Sequence, residues 1–219
     1  MKSVAIFFST LAFAMLLRSP EKIYFDDTPV GSLPKGWKVE ATGQAKPTAK
    51  WQVEKASDAP SGPNVLRLVN TNHTQGNVYN LCWTKSVTFF EGDISLSLKA
   101  NSGSIDQGGG IIWRVQDCNN YYISRFNPLE DNVSIYYVKD GKRVMLGYTG
   151  KFEHKDGWRE FKINHTGDRI QAFLDGDMKL MVNAGNYITK PGGVGIWTKA
   201  DAATSFDNFT VTPENNYSD

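Results

Sequence analysis

Histidine and cysteine are scarce in this chain, with three histidines (His73, His154, His165) and two cysteines (Cys82, Cys118) among 219 residues. They are scattered and show no metal-ligand spacing, which excludes a zinc centre built from them. Two cysteines allow at most one disulfide. Both fall in segments with strand or hairpin character, so a bridge and two separate thiols are both open. A charge excess is also missing: Lys+Arg number 24 against 23 Asp+Glu. A surface that grips a phosphate backbone needs a basic excess to release counterions, so nucleic acid is excluded as a partner. Nor is there a run long enough to cross a bilayer. Val4 to Leu17, broken only by Ser9 and Thr10, covers about 14 residues where a membrane helix needs about 20. With Lys2 before it and Arg18-Ser19-Pro20 after it, this run has the length and flanks of a signal peptide. Residues 1–18 are therefore expected to direct export, with the cleavage boundary open. The mature chain is expected to be secreted or periplasmic, with no membrane attachment once the leader is gone.

Past the leader no long amphipathic helical stretch occurs. What recurs is period-two alternation of apolar and polar residues, the mark of half-buried strands. Ile94-Ser95-Leu96-Ser97-Leu98-Lys99, Val133-Ser134-Ile135-Tyr136-Tyr137 and Phe161-Lys162-Ile163-Asn164 all alternate in this way. Asp140-Gly141 and Asp175-Gly176 stand where tight hairpin turns belong. Aromatic residues make up 12% of the chain and glycine contributes 20 residues, a mixture that favours strands and turns. Turn signals return about every ten residues, as in a sandwich or barrel. No linker or charge block divides the chain, so residues 24–212 read as one all-β domain and 213–219 as a polar tail.

The densest chemistry lies between Gly108 and Glu130, GGGIIWRVQDCNNYYISRFNPLE. Asp117-Cys118-Asn119-Asn120 has the polar makeup of a hairpin loop. Closing the hairpin there pairs Gln116 with Tyr121, Arg114 with Ile123 and Ile112 with Arg125. One face then carries Ile111, Trp113, Val115, Tyr122, Ser124 and Phe126, which suit a core. The other carries Ile112, Arg114, Gln116, Tyr121, Ile123, Arg125 and Asn127. Arginine forks and tyrosine plates suit a ligand that offers flat apolar faces and directional hydroxyls. The competing reading is a face whose arginines are ion-paired to Asp117, Glu130 or Asp131. A second candidate is Gly192 to Asp201, where Trp197 and Lys199 share a face, with Trp197 either a stacking platform or a core residue.

Several segments together resemble a known group of domains. They are Phe25-Asp26-Asp27, Leu33-Pro34-x-Gly36-Trp37, the W-R-V-Q-D-x-N-N-Y-Y-I-x-R strand pair at Trp113 to Arg125, and Gly195-Ile196-Trp197-Thr198-Lys199 followed by Ser205 to Val211. The chain resembles the concanavalin A-like lectin/glucanase superfamily, near its secreted 3-keto-disaccharide hydrolase-like, glycoside hydrolase-related domains. That resemblance implies a two-sheet antiparallel jelly-roll sandwich with a concave face that holds glycans. It also implies a structural calcium ion where Asp26 or Asp27 meets Asp207; no other cofactor is required. Laminarin-type glucanases of this superfamily carry a strand with alternating acids, E-x-D-x-x-E, and this chain has none. Asp117, Glu130 and Asp201 are the acids left as catalytic candidates, and no spacing pairs them. The expectation is thus a non-catalytic domain that binds an oligo- or polysaccharide through Arg114, Gln116, Tyr121, Arg125, Asn127, Trp197 and Lys199. A carbohydrate-active enzyme of the same fold, a glycoside hydrolase or a keto-sugar hydrolase or lyase, is the first alternative. A structural or adhesion domain is the second.

Overall fold

A computed structural model describes residues 19–71, 77–185 and 187–214; the expected leader and most of the polar tail lie outside the described residues. The chain forms β1 (Glu21–Ile23), β2 (Trp37–Ala41), β3 (Lys50–Lys55), β4 (Asn64–Asn70) and β5 (Tyr79–Phe89). There follow β6 (Gly92–Ser102), β7 (Gly109–Asp117), β8 (Asn120–Asn127), β9 (Asn132–Lys139) and β10 (Lys142–Tyr148). The last five are β11 (Arg159–Thr166), β12 (Arg169–Leu174), β13 (Asp177–Asn183), β14 (Gly192–Lys199) and β15 (Ala203–Pro213). One sheet runs β13-β12-β11-β6-β15-β4-β3, with β1 added on β15; the other runs β10-β9-β8-β7-β14-β5-β2. All strand pairs are antiparallel, as a jelly-roll sandwich requires.

The first sheet is built as its alternation dictates. Ile94, Leu96 and Leu98 of β6 and Phe161 and Ile163 of β11 are buried, while Ser95, Ser97 and Lys162 between them reach outward. Asp140-Gly141 and Asp175-Gly176 close their hairpins with both residues at positive φ, the requirement of the two-residue turn that matches strand twist. Between the sheets Trp113 stacks on Tyr122 with ring centroids 5.6 Å apart. The indole N–H of Trp113 donates to His165 Nδ1 at 2.9 Å. Burial, with the Arg114 charge nearby, pushes the His165 pKa down to about 3, so the ring sits in the core uncharged.

The second sheet breaks the simple pattern. β7, β8 and β14 are buried on both faces, although only one face of this sheet packs on the other sheet. The second face holds its own apolar cluster of Leu81, Trp83, Ile112, Val115, Tyr121, Ile123, Tyr136, Val138 and Trp197. Curvature explains it. Arg143 of β10 lies 4.7 Å from the ring centre of Tyr79 on β5, which is five strands away in the sheet order. In a flat sheet those strands would be about 24 Å apart, further than an arginine and a tyrosine can span together. The sheet therefore curls, and its outer face is concave.

The cysteines are settled by the same faces. Cys82 packs between the sheets and Cys118 on the concave side, and both are free thiols.

Candidate functional site

The β7–β8 hairpin supplies the floor of the concave face, but with a different register from the one its sequence suggests. The turn is two residues long, since Asp117 pairs with Asn120, while beyond it Trp113 pairs with Tyr122 and Ile112 with Ile123. Arg114, Val115 and Gln116 thus oppose Tyr121 alone in a bulge, and Arg114 takes a φ of 48°. Because the slip is two residues, the alternation survives it: Ile112, Tyr121, Ile123, Arg125 and Asn127 still share the outer face. The bulge itself does not follow the alternation. Val115 turns to the concave side, and Arg114 is carried to the end of the sandwich. There its guanidinium lies 3.9 Å from the Phe90 ring and donates to the carbonyls of Phe90 and Ile188. Gln116 donates to the carbonyls of Arg114, Lys190 and Pro191, tying the strand to the segment before β14. Neither residue joins the concave face.

The five remaining expected residues do share the concave face, and three of them, Arg125, Asn127 and Lys199, meet around one that sequence reasoning passed over. Asp106 is 1% exposed and accepts from Arg125 Nη1 at 2.8 Å, Lys199 Nζ at 2.7 Å and Asn127 Nδ2 at 3.2 Å. Asp201 sets this up. Its carboxylate accepts the backbone N–H groups of Ser104, Ile105 and Asp106 at 2.7, 3.0 and 3.0 Å, which fixes the loop so that Asp106 turns inward. Against the cost of burial, those N–H bonds hold Asp201 down to about 2. Arg125 gives its second terminal nitrogen to Glu130 at 2.6 Å. Burial opposes the Arg125 charge, but Asp106, Tyr136 and Glu130 outweigh it and raise its pKa. Glu130 is held below its ordinary value, with Arg125 overcoming the effect of burial. Asp117, the third expected acid, caps the hairpin turn through Asn119 N–H and Asn120 Nδ2.

Beside this polar corner lies an aromatic one. Tyr79 stacks on Trp197 at 5.6 Å with 30° between the planes, so the buried Trp197 supports a half-buried tyrosine. Trp197 Nε1 donates to the Tyr121 hydroxyl at 3.3 Å, and that hydroxyl lies 2.7 Å from Thr42 Oγ1. Arg143 lies against both Tyr79 and Tyr136, 4.4 Å from the latter's ring centre. Further along, Trp83 donates to Glu40 at 2.7 Å beneath the ammonium of Lys38. Two glycines keep the floor low. In the register Gly110 stands between Arg125 and Trp197, and Gly195 between Ile112 and Trp83. A Cβ on Gly110 would run into the Ser124 carbonyl, and one on Gly195 into Trp83.

The acids expected to hold calcium lie on the first sheet, away from this face. Asp207 accepts Ser61 N–H at 2.9 Å and Asp26 accepts Asn64 N–H at 3.1 Å, so both carboxylates meet the 61–64 loop. Burial, with the Asp26 charge adding to it, raises the Asp207 pKa. Two carboxylates on one loop fit a hard, oxygen-seeking cation. Asp27 is exposed. Among the described residues no group of three or more His, Cys, Asp or Glu side chains converges to hold a metal.

Tyr79, Tyr136, Arg143 and Asp106 carry much of the face and were not singled out from sequence. The alternations Tyr79-x-Leu81-x-Trp83 and Ser134-x-Tyr136-x-Val138 contain the signal for the tyrosines. Nothing in Ser104-Ile105-Asp106-Gln107 distinguishes Asp106 before its partners are known.

No family model and no curated protein matches the chain. Solved structures do resemble it. The carbohydrate binding module CBM66 from Bacillus subtilis superposes with a TM-score of 0.59 at 16% identity, covering 83% of this chain and 98% of its own. The cellulose induced protein Cip1 gives 0.58 at 15% identity, covering 87% and 95%. A Bacteroides ovatus mixed linkage glucan GH16 protein in complex with its G4G4G3G product gives 0.56 at 10% identity, covering 83% and 97%. The chain has the concanavalin A-like jelly-roll fold.

Proposed function

We propose that this is a carbohydrate-binding domain that holds a saccharide on the concave face of its seven-stranded sheet. The observation that carries the reading is the juxtaposition, in one curved groove, of the Asp106–Arg125–Lys199–Asn127–Glu130 network with the Tyr79–Trp197 stack. A pyranose or furanose ring presents an apolar C–H face and an edge of hydroxyls. Tyr79 offers the plate, and the exposed carboxylate of Glu130 with the ammonium of Lys199 offers the directional partners. Their mutual ion pairs fix these groups in advance, so little ordering is left for the ligand to impose. Solved structures of the same fold include a carbohydrate binding module and a glucan-bound protein, which supports the same reading.

Binding is favoured over cleavage by the state of the acids. A general acid at neutral pH needs a raised pKa. Glu130 and Asp201 are instead held down. Export of the mature domain and a calcium ion at Asp26 and Asp207 belong to the same proposal. Among the described residues no helix is long and apolar enough to cross a membrane.

Screening the domain on a glycan array, followed by calorimetry, tests the proposal. At least one saccharide is expected to bind, and Tyr79→Ala and Lys199→Met are expected to weaken it about tenfold each. Absence of binding across the array at millimolar ligand would overturn it.

A further inference from the structure

The cations beside the Tyr79–Trp197 stack fall into two kinds. Arg125 and Lys199 are neutralised within the fold, sharing Asp106, with Glu130 closing the other end of Arg125. Arg143 is not. Its guanidinium lies between the rings of Tyr79 and Tyr136, at 4.7 and 4.4 Å, and forms no ion pair among the described residues. Its Nη1 is buried with no hydrogen-bond partner.

Arg143 as a whole is only half-buried and has no counter-ion among the described residues, and the planar fork of a guanidinium is matched best by a carboxylate that reaches its open edge. A neutral sugar would leave that charge unanswered. Resting on the saccharide reading above, we infer that the ligand is an acidic sugar, a glycan carrying hexuronate carboxylates. The neutralised corner at Asp106 reads its hydroxyls, and Arg143 reads its charge. The two tyrosine rings hold the guanidinium in place and exclude water from its faces, which strengthens its attraction for an anion that reaches its edge.

The test is calorimetric titration with an oligoglucuronate and with the same oligosaccharide after reduction of its carboxyl groups to primary alcohols. The acidic form is expected to bind at least about tenfold tighter. Arg143→Met, which keeps the stem and loses the charge, is expected to abolish that preference, the acidic oligosaccharide losing at least about fivefold more affinity than the neutral one. Arg143→Lys keeps a charge without the fork and is expected to retain only part of the preference; it serves the same purpose should the methionine variant fail to fold. Equal or tighter binding of the neutral form overturns the acidic-sugar inference and leaves the saccharide reading standing. An equal loss for both ligands in Arg143→Met overturns it too, because the arginine is then only packing. Absence of binding by either form, with no other glycan bound on the array, removes both.

Discussion

Removing the Asp106 carboxylate should be the most damaging single polar change in the domain. It is 2% exposed as a side chain and pairs with two cations that are themselves 4% and 15% exposed. Asp106→Ala leaves Lys199 with no counter-ion and Arg125 with only Glu130, which is 47% exposed and therefore partly screened. Breaking a buried pair by deleting one partner costs about 3–5 kcal/mol. Small domains have about 5–15 kcal/mol in all, so the variant should be near the edge of folding. Asp106→Asn keeps an acceptor but not the charge and should cost about half as much. Urea unfolding followed by tryptophan fluorescence reads both values, with the slope against urea unchanged. The converse change is as informative. Replacing Asp106, Arg125 and Lys199 together by Leu, Met and Met removes the three buried charges at once and leaves only Glu130, which is 47% exposed, and such replacements are often neutral or stabilising by about 1–4 kcal/mol. A triple variant that is stable but binds no saccharide would show that the ions are kept for recognition. If Asp106→Ala and Asp106→Asn both stay within about 0.5 kcal/mol of the parent, the cluster is solvent-screened and the reasoning fails.

Three further expectations follow from other parts of the molecule. His165 has its pKa pushed down to about 3 in the fold against an unfolded value near 6.5, so between those values the unfolded chain binds the extra proton. Its contribution is therefore complete above pH 6.5 and is lost as pH falls towards 3, with a slope of up to about 1.4 kcal/mol per pH unit; His165→Gln should flatten the stability profile in that window, and an unchanged profile would contradict the burial of an uncharged ring. Adding a chelator should lower the melting temperature if Asp26 and Asp207 hold calcium, and Asp207→Asn should abolish the response; equal melting curves with calcium and with chelator would remove the ion from the account. Because Cys82 and Cys118 lie on opposite faces of one sheet, denatured but unreduced protein should titrate with two free thiols per chain, and a titre of zero would contradict the packing.

Strand periodicity and turn chemistry made the architecture readable before any coordinates. The runs from Ile94 and Phe161 and the Asp-Gly turns at 140 and 175 became the elements they suggested, because local pattern and tertiary burial agree there. Face membership on β8 was equally legible. Pairing on β7 was not, since a bulge is a backbone event at Arg114 that leaves no mark in alternation, and it moved two of the expected site residues off the face. Asp106 was hidden for a different reason. Its partners, Arg125 and Lys199, are brought to it by strand order rather than by sequence proximity. The meeting of Arg143 with Tyr79 is more remote still, because it depends on the curl of an entire sheet. Long-range curvature is the property that one-dimensional periodicity carries least.

The central claim is that the concave face is where ligand binds. Chemical-shift mapping of backbone amides during titration with the best-binding saccharide tests it directly. The account predicts shifts concentrated at Tyr79, along β8 to β10 and near Lys199, with the first sheet silent. Saturable shifts confined to the first sheet, for instance around the hollow lined by Ser95, Ser97 and Asn208, would contradict it.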